Sequence, residues 1–321
     1  MTNFQVYRKT LPFSFIIFLV SLLSIAQLVG FCVAGFFIGN NGEEYRAFVG
    51  LGIGFVIGIL VAIAIDYLVL NRIKAGQIAM MTKGVADDKL PDHVVKEGFN
   101  EVRGRFAKIT AFFVVTNLIK GMFRQIGRAL NGVGRMVGGQ AGDTVTSVID
   151  SAVQILLGYL CDCCLGWVMY RKDQGVTKSA CEGAVIFFKN GKTLFRNIGR
   201  IFGMGILSFV VVGGALFAGS YLIFAQFPTI FAELSTAIQN LHIEDLPTWV
   251  YDTRNLTMVI CAIGSIVLWS TIHSVVGRPF ILVGVLRNFM AAGKANIPTE
   301  EDFKVLDSKS SKFAKLRQKN I

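Results

Sequence analysis

The chain has 321 residues, 53% of them hydrophobic and only 17% charged, with a formal net charge of +11 and a mean hydropathy of +0.57. A water-soluble domain carries about a quarter charged residues, so the composition excludes an ordinary soluble globular protein and points to segments solvated by lipid. The cations mostly flank apolar runs, which argues for positive-inside orientation and contact with anionic lipid, and against nucleic acid.

Arg8 and Lys9 precede an apolar run from Leu11 to Ile38. It is too long for a secretory h-region and no small-residue cleavage site follows, so we read a retained first span. The polar turn Asn40 to Glu44 leads into Phe48–Leu70, which returns to the starting side. There Gly50, Gly54, Gly58, Ala62 and Asp66 recur every fourth residue and share one helix face. That stripe predicts close approach of a second helix, with Gly50, Gly54 and Gly58 as packing positions.

Residues 73–108 mix cations and acids and read as a cytoplasmic-side loop, partly helical, with Pro91 as a break. The stretch 109–137 follows, with Val115, Leu118, Ile119, Met122, Ile126, Leu130, Val133 and Val137 at helical spacing. Lys120, Arg124, Arg128 and Arg135 gather within roughly 80° of one another at about 100° per residue, a basic amphipathic helix. After the glycines at 138–142, Asp143 or Thr144 opens a helix to Tyr170 that contains Asp150 and Asp162. It finishes with Trp167, Tyr170, Arg171 and Lys172, like an aromatic belt with inner-side charges.

Residues 171–200 are again basic and belong inside, with short amphipathic pieces dipping into the interface. Ile201–Phe224 is a Gly-rich span, and Ala225–Asn255, with Arg254 its one cation, lies outside. Pro228 opens a short helix there. Leu256–Val276 is the last span, interrupted at Arg278-Pro279 before a half-helix 280–290. A basic tail, 291–321, completes the chain, with Thr299 and Asp302 marking a helix start.

Crossing parity then decides the topology. If the N-terminus and the loops 73–108 and 171–200 are all inside, 143–170 must start outside, and 109–137 must itself cross. The sequence therefore predicts an all-α polytopic membrane bundle of about six spans, 11–38, 48–70, 109–137, 143–170, 201–224 and 256–276, with amphipathic interfacial helices. Both termini lie on the cytoplasmic side. The alternative keeps 109–137 flat on the inner surface and makes 143–170 re-entrant. A crossing basic helix costs roughly 2.5–3.5 kcal/mol for each cation at membrane depth, so its charges need partners or water. Asp66, Lys120, Arg124, Arg128, Asp150, Asp162 and Arg278 are accordingly the candidate residues for a permeation route or for intramembrane charge pairing.

The sequence contains no Walker A loop, no HExxH, no GxSxG elbow and no paired CxxC. No catalytic set converges, and no cofactor or metal is expected. Cys161-Asp162-Cys163-Cys164 is the densest group of soft ligands, and we read its thiols as small packing residues. His273 lies beside Ser270, Thr271 and Ser274 and reads as a hydrogen-bonded histidine of the last span.

Lys178-Ser179-Ala180-Cys181-Glu182-Gly183-Ala184, followed by Asn190 or Asn197 and a Gly-rich span, resembles the loop-then-helix order of choline transporter-like proteins over about thirty residues. That resemblance implies transport of an organic cation or lipid precursor. The reading as a whole is an integral membrane protein that moves or gates a small solute or ion. Its rival is a non-catalytic membrane subunit or scaffold that holds lipid or a partner, as a homo-oligomer or within a membrane complex.

Overall fold

A computed structural model of the chain describes residues 1–40, 44–106, 143–195, 198–240, 252–309 and 311–320, with Asn117 and Gly121 besides. The rest of 109–137 lies outside the described residues, and with it Lys120, Arg124, Arg128 and Arg135.

Long apolar runs with few prolines form long helices because a helix satisfies its backbone within one segment. α1 spans Asn3–Gly39, and α2 (Glu44–Ile65) continues through a π turn at Asp66–Leu70 into α3 (Asn71–Ala86). α4 covers Val94–Arg105, after the expected break at Pro91, and α5 covers Asp143–Tyr170. α6 (Val176–Phe195) is one helix of 20 residues where short pieces were expected. α7 (Ile198–Ser208), a π turn at Phe209–Gly213 and α8 (Gly214–Phe224) follow. α9 opens at Pro228 and ends at Asn240. α10 (Thr253–Ile272) passes through a π turn at His273–Gly277 into α11 (Arg278–Ala295). The tail folds into α12 (Glu300–Lys309) and α13 (Ser311–Asn320). Asp302 accepts from the backbone N–H and hydroxyl of Thr299, which caps α12.

The expected interruption at Arg278-Pro279 is not a break in the helix. Pro279 lacks the N–H that would close an ordinary turn, and the wider π turn ends at Gly277, two residues before it. A π turn re-spaces the hydrogen-bond ladder without ending it.

Among the described residues, four helices are long and apolar enough to cross a membrane: Asn3–Gly39, Arg46–Ala86, Gly203–Phe224 and Thr253–Ala295. They carry four of the six expected spans. Of the other two, 109–137 falls outside the described residues. The second, 143–170, is helical over that full range, and its half from Tyr159 to Met169 is mostly buried within a bundle.

The described chain divides into two compact units. The first holds residues 1–14, 72–201 and 279–321, and the second holds 15–71 and 202–278. Three of the four long helices have 37, 41 and 43 residues, more than a bilayer needs. The division falls inside them, leaving second-unit segments of about 25 to 26 residues, enough to cross a bilayer.

The surfaces of the two units differ in kind. Apart from Phe4, Phe99, Ile155, Phe280, Ile297 and Val305, every large apolar side chain exposed among the described residues belongs to the second unit. In the most apolar windows of the four long helices only 6 to 17% of residues are buried. So much exposed apolar surface is stable in lipid and not in water.

The first unit is built as water-soluble bundles are. Trp167, Phe13, Phe289, Phe313, Met80 and Met81 lie fully inside. Lys172 and Lys83 pair with Glu101, and Lys189 pairs with Asp302. α5 packs on α6, and α12 and α13 pack on α6 in turn. At the α5–α6 crossing a Cβ on Gly183 would lie 3.1 Å from the sulfur of Cys164. Glycine facing a small thiol lets the two backbones come close. All six cysteines are free thiols, and Cys163, Cys164 and Cys181 are buried in this unit.

Burial pushes the Cys181 thiol up to about 12. At pH 8 its thiolate fraction is therefore about one part in ten thousand. Mass analysis after iodoacetamide treatment of the folded protein is expected to find Cys163, Cys164 and Cys181 unmodified. All three should react once the protein is denatured in SDS. Rapid alkylation of Cys181 in the native protein would contradict this packing.

Candidate functional site

In the second unit, polar side chains converge where two of the spans carry π turns. Ser208 stands immediately before the π turn 209–213, and His273 is the first residue of the π turn 273–277. The Trp269 Nε1–H donates to Ser208 Oγ at 2.9 Å, and the same hydroxyl lies 3.3 Å from His273 Nδ1. Trp269, one helical turn before His273, stacks on the imidazole with centroids 5.5 Å apart. Phe209 closes the other side, edge-on to Trp269 at 4.9 Å. A Cβ on Gly277 would sit 2.8 Å from His273 Nδ1, so the ring position requires glycine there.

Hydrogen-bond accounting shows what this arrangement can do. Ser208 accepts from Trp269, so its own proton is available to a neutral Nδ1. When the imidazole is protonated, Nδ1–H donates to the second lone pair of Ser208, and the serine proton turns to another acceptor. Ser208 can thus act as donor to a neutral Nδ1 and as acceptor from a protonated one, which suits a group that takes up and releases a proton. The neighbours in sequence play no part in it: Thr271 bonds to the Val267 carbonyl and Ser274 to the Thr271 carbonyl. Ser208 was invisible as a partner because it lies 65 residues away, and no local pattern marks it.

The described charged residues singled out from the sequence divide between the two units. Asp66 begins the π turn 66–70 and Arg278 follows the π turn 273–277, both in the second unit. Asp150 and Asp162 lie on α5 in the first unit. Lys120, Arg124 and Arg128 fall outside the described residues.

The glycine stripe lies against α1. A Cβ on Gly50 would strike the carbonyl of Gly35, one on Gly54 the carbonyl of Phe31, and one on Gly58 the Leu28 side chain at 2.7 Å. Gln27 adds a hydrogen bond from Nε2 to the Gly58 carbonyl, 2.9 Å.

A second polar constellation organises the first unit. Arg105 donates to the carbonyl oxygens of Val168, Arg171 and Gln174 and to the Ser179 hydroxyl, at 2.7 to 3.2 Å. It thereby ties down carbonyls at the end of α5 that the helix leaves unpaired. Burial pulls its guanidinium below the usual arginine range. Glu182, 3% exposed, accepts from Trp167 Nε1 at 3.0 Å and pairs with Arg171 at 3.3 Å. Hydrogen bonding to Asp173 holds the Arg171 guanidinium above its ordinary value. Sequence reading gave Glu182 no role beyond the resemblance. Its standing as one of few acids in a basic loop was the available signal.

No family model, no curated protein and no solved structure matches this chain.

Proposed function

We propose that this integral membrane protein moves a small solute or ion across its bilayer, and that the Ser208–Trp269–His273 cluster is a polar step on the route. The single observation that carries the reading is a proton-accepting group within the spans, held between two π turns. Ionisable residues inside a membrane are costly and concentrate where they act. π turns leave carbonyls free of their usual partners, offering acceptors where lipid has none. An even number of crossings supports placing both termini on one side of the membrane. The cations of the first unit favour the cytoplasmic face.

Flux through proteoliposomes reconstituted with the full chain tests this, with protons, potassium, chloride and choline as solutes. Choline is included because of the local resemblance to choline transporter-like proteins. Wild-type protein is expected to carry one of the four, and His273→Leu to lose most of that flux while remaining monodisperse. Ser208→Ala, which keeps the imidazole but frees Nδ1, is expected to retain part of the flux and shift its pH profile. Undiminished flux in His273→Leu, or none of the four carried by wild type, rejects the reading. The folded first unit, with its docked tail, favours a second one: a membrane subunit that holds lipid or a partner and carries no flux.

A further inference from the structure

We infer that the first unit holds a binding site for the phosphate of an anionic phospholipid, between the start of α1 and the turn joining α3 to α4. Two adjoining clefts share Lys9 as a wall. One, of 620 Å³, is lined by Lys9, Pro12, Asp92, His93 and Lys96 among others. The other, of 420 Å³, is lined by Arg8, Lys9, Asp88 and Lys89 among others. Arg8, Lys9, Lys89 and Lys96 make no hydrogen bond or ion pair with any described residue. Of the two acids present, Asp88 is already bonded to the Met1 amine. Four cations with no partner among the described residues, spread over the two clefts, leave an excess of positive charge, which an anion offsets.

The anion's source follows from depth and from what lies beside the site. Lys9 precedes Phe15, where α1 enters the second unit and is 62% exposed, by six residues, about 9 Å of helix. The headgroup layer is about 5 to 8 Å thick on each side of the hydrocarbon, so the Lys9 backbone stands at its outer edge and the long side chain can reach a phosphate. Phe99, on α4, packs beside Phe13 and is itself 39% exposed, an apolar neighbour fit for an acyl chain. The opening turn of α4, Val94 to Lys96, also lines the larger cleft, and His93 at its cap makes no side-chain bond to it. The cations and the cavity carry the assignment, and the helix end adds to it. It does not depend on whether the protein transports.

Native mass spectrometry of the full chain in detergent, with phosphatidylglycerol, phosphatidylcholine or inorganic phosphate added, tests it. Wild type is expected to retain phosphatidylglycerol over phosphatidylcholine. Lys9→Gln with Lys96→Gln should lower that retention by about fivefold for each cation removed. Lys304→Gln with Lys315→Gln, an equal charge change on exposed tail positions, should leave it within about twofold. Both double variants alter exposed side chains and should melt as wild type does. Retention unchanged in the Lys9/Lys96 variant overturns the site. Displacement of the lipid by millimolar inorganic phosphate overturns its assignment to lipid.

Discussion

Replacing Gly54 with alanine is expected to destabilise the α1–α2 pair by about 1–3 kcal/mol, towards the upper end of what overpacking costs. The new methyl group meets the Phe31 carbonyl, with its carbon at 2.8 Å, and that obstacle is backbone, which has no rotamer to retreat into. Within lipid, helices gain little from burying apolar surface against one another, so close contact supplies much of their association. The stripe predicts its own ranking. Gly50→Ala faces the Gly35 carbonyl and should cost as much as Gly54→Ala. Gly58→Ala meets the far end of Leu28 and should cost less, because that side chain can turn away. Gly52 faces open space, so Gly52→Ala should be neutral or slightly stabilising through helix propensity. Resistance to unfolding by SDS, followed by circular dichroism, gives the order. Equal effects of Gly52→Ala and Gly54→Ala would show that α1 and α2 do not meet as described.

Removing the Glu182 carboxylate should strongly destabilise the first unit. Glu182→Ala leaves the Trp167 Nε1–H without its acceptor and takes from Arg171, 17% exposed, its buried partner. Breaking one side of a buried charge pair costs about 3–5 kcal/mol, and Asp173 remains as a second partner for Arg171, so the lower end applies. Glu182→Gln keeps an acceptor for Trp167 and loses only the charge, and should cost roughly 1–2 kcal/mol. Thermal unfolding in detergent, with tryptophan fluorescence as the probe, distinguishes the two. If both variants melt within a degree of wild type, the Trp167–Glu182–Arg171 contact does not hold α5 to α6.

The clearest gap between sequence and structure concerns charge. An acidic or basic residue inside an apolar segment announces that it needs company, and Asp66, Asp162 and Arg278 were found that way. Which partner it meets depends on how far each helix rotates about its axis and which helix lies alongside. Parity reasoning also treated every apolar helix as either in the membrane or out of it. The 37-, 41- and 43-residue helices run on unbroken past the ends expected for the spans, so that each contributes residues to both units. Burial of the Tyr159–Met169 half of α5 by α6 and its neighbours could not be anticipated from its hydropathy, which suits a protein interior as well as it suits lipid.

The sequence by itself determined whatever closes within a few turns: the apolar segments at 11–38, 48–70, 201–224 and 256–276 as helices, the start at Pro228, the cap at Thr299 and Asp302, and the glycine face of α2. These are local because a helix satisfies its own backbone, and because side chains four apart share a face in any surroundings. Only the tertiary structure decided the pairing of Ser208 with His273, the burial of Glu182 against Trp167, and the division of the long helices between two units that differ in exposed apolar surface. Those contacts join residues brought together by packing, and packing depends on the shapes of all the helices at once.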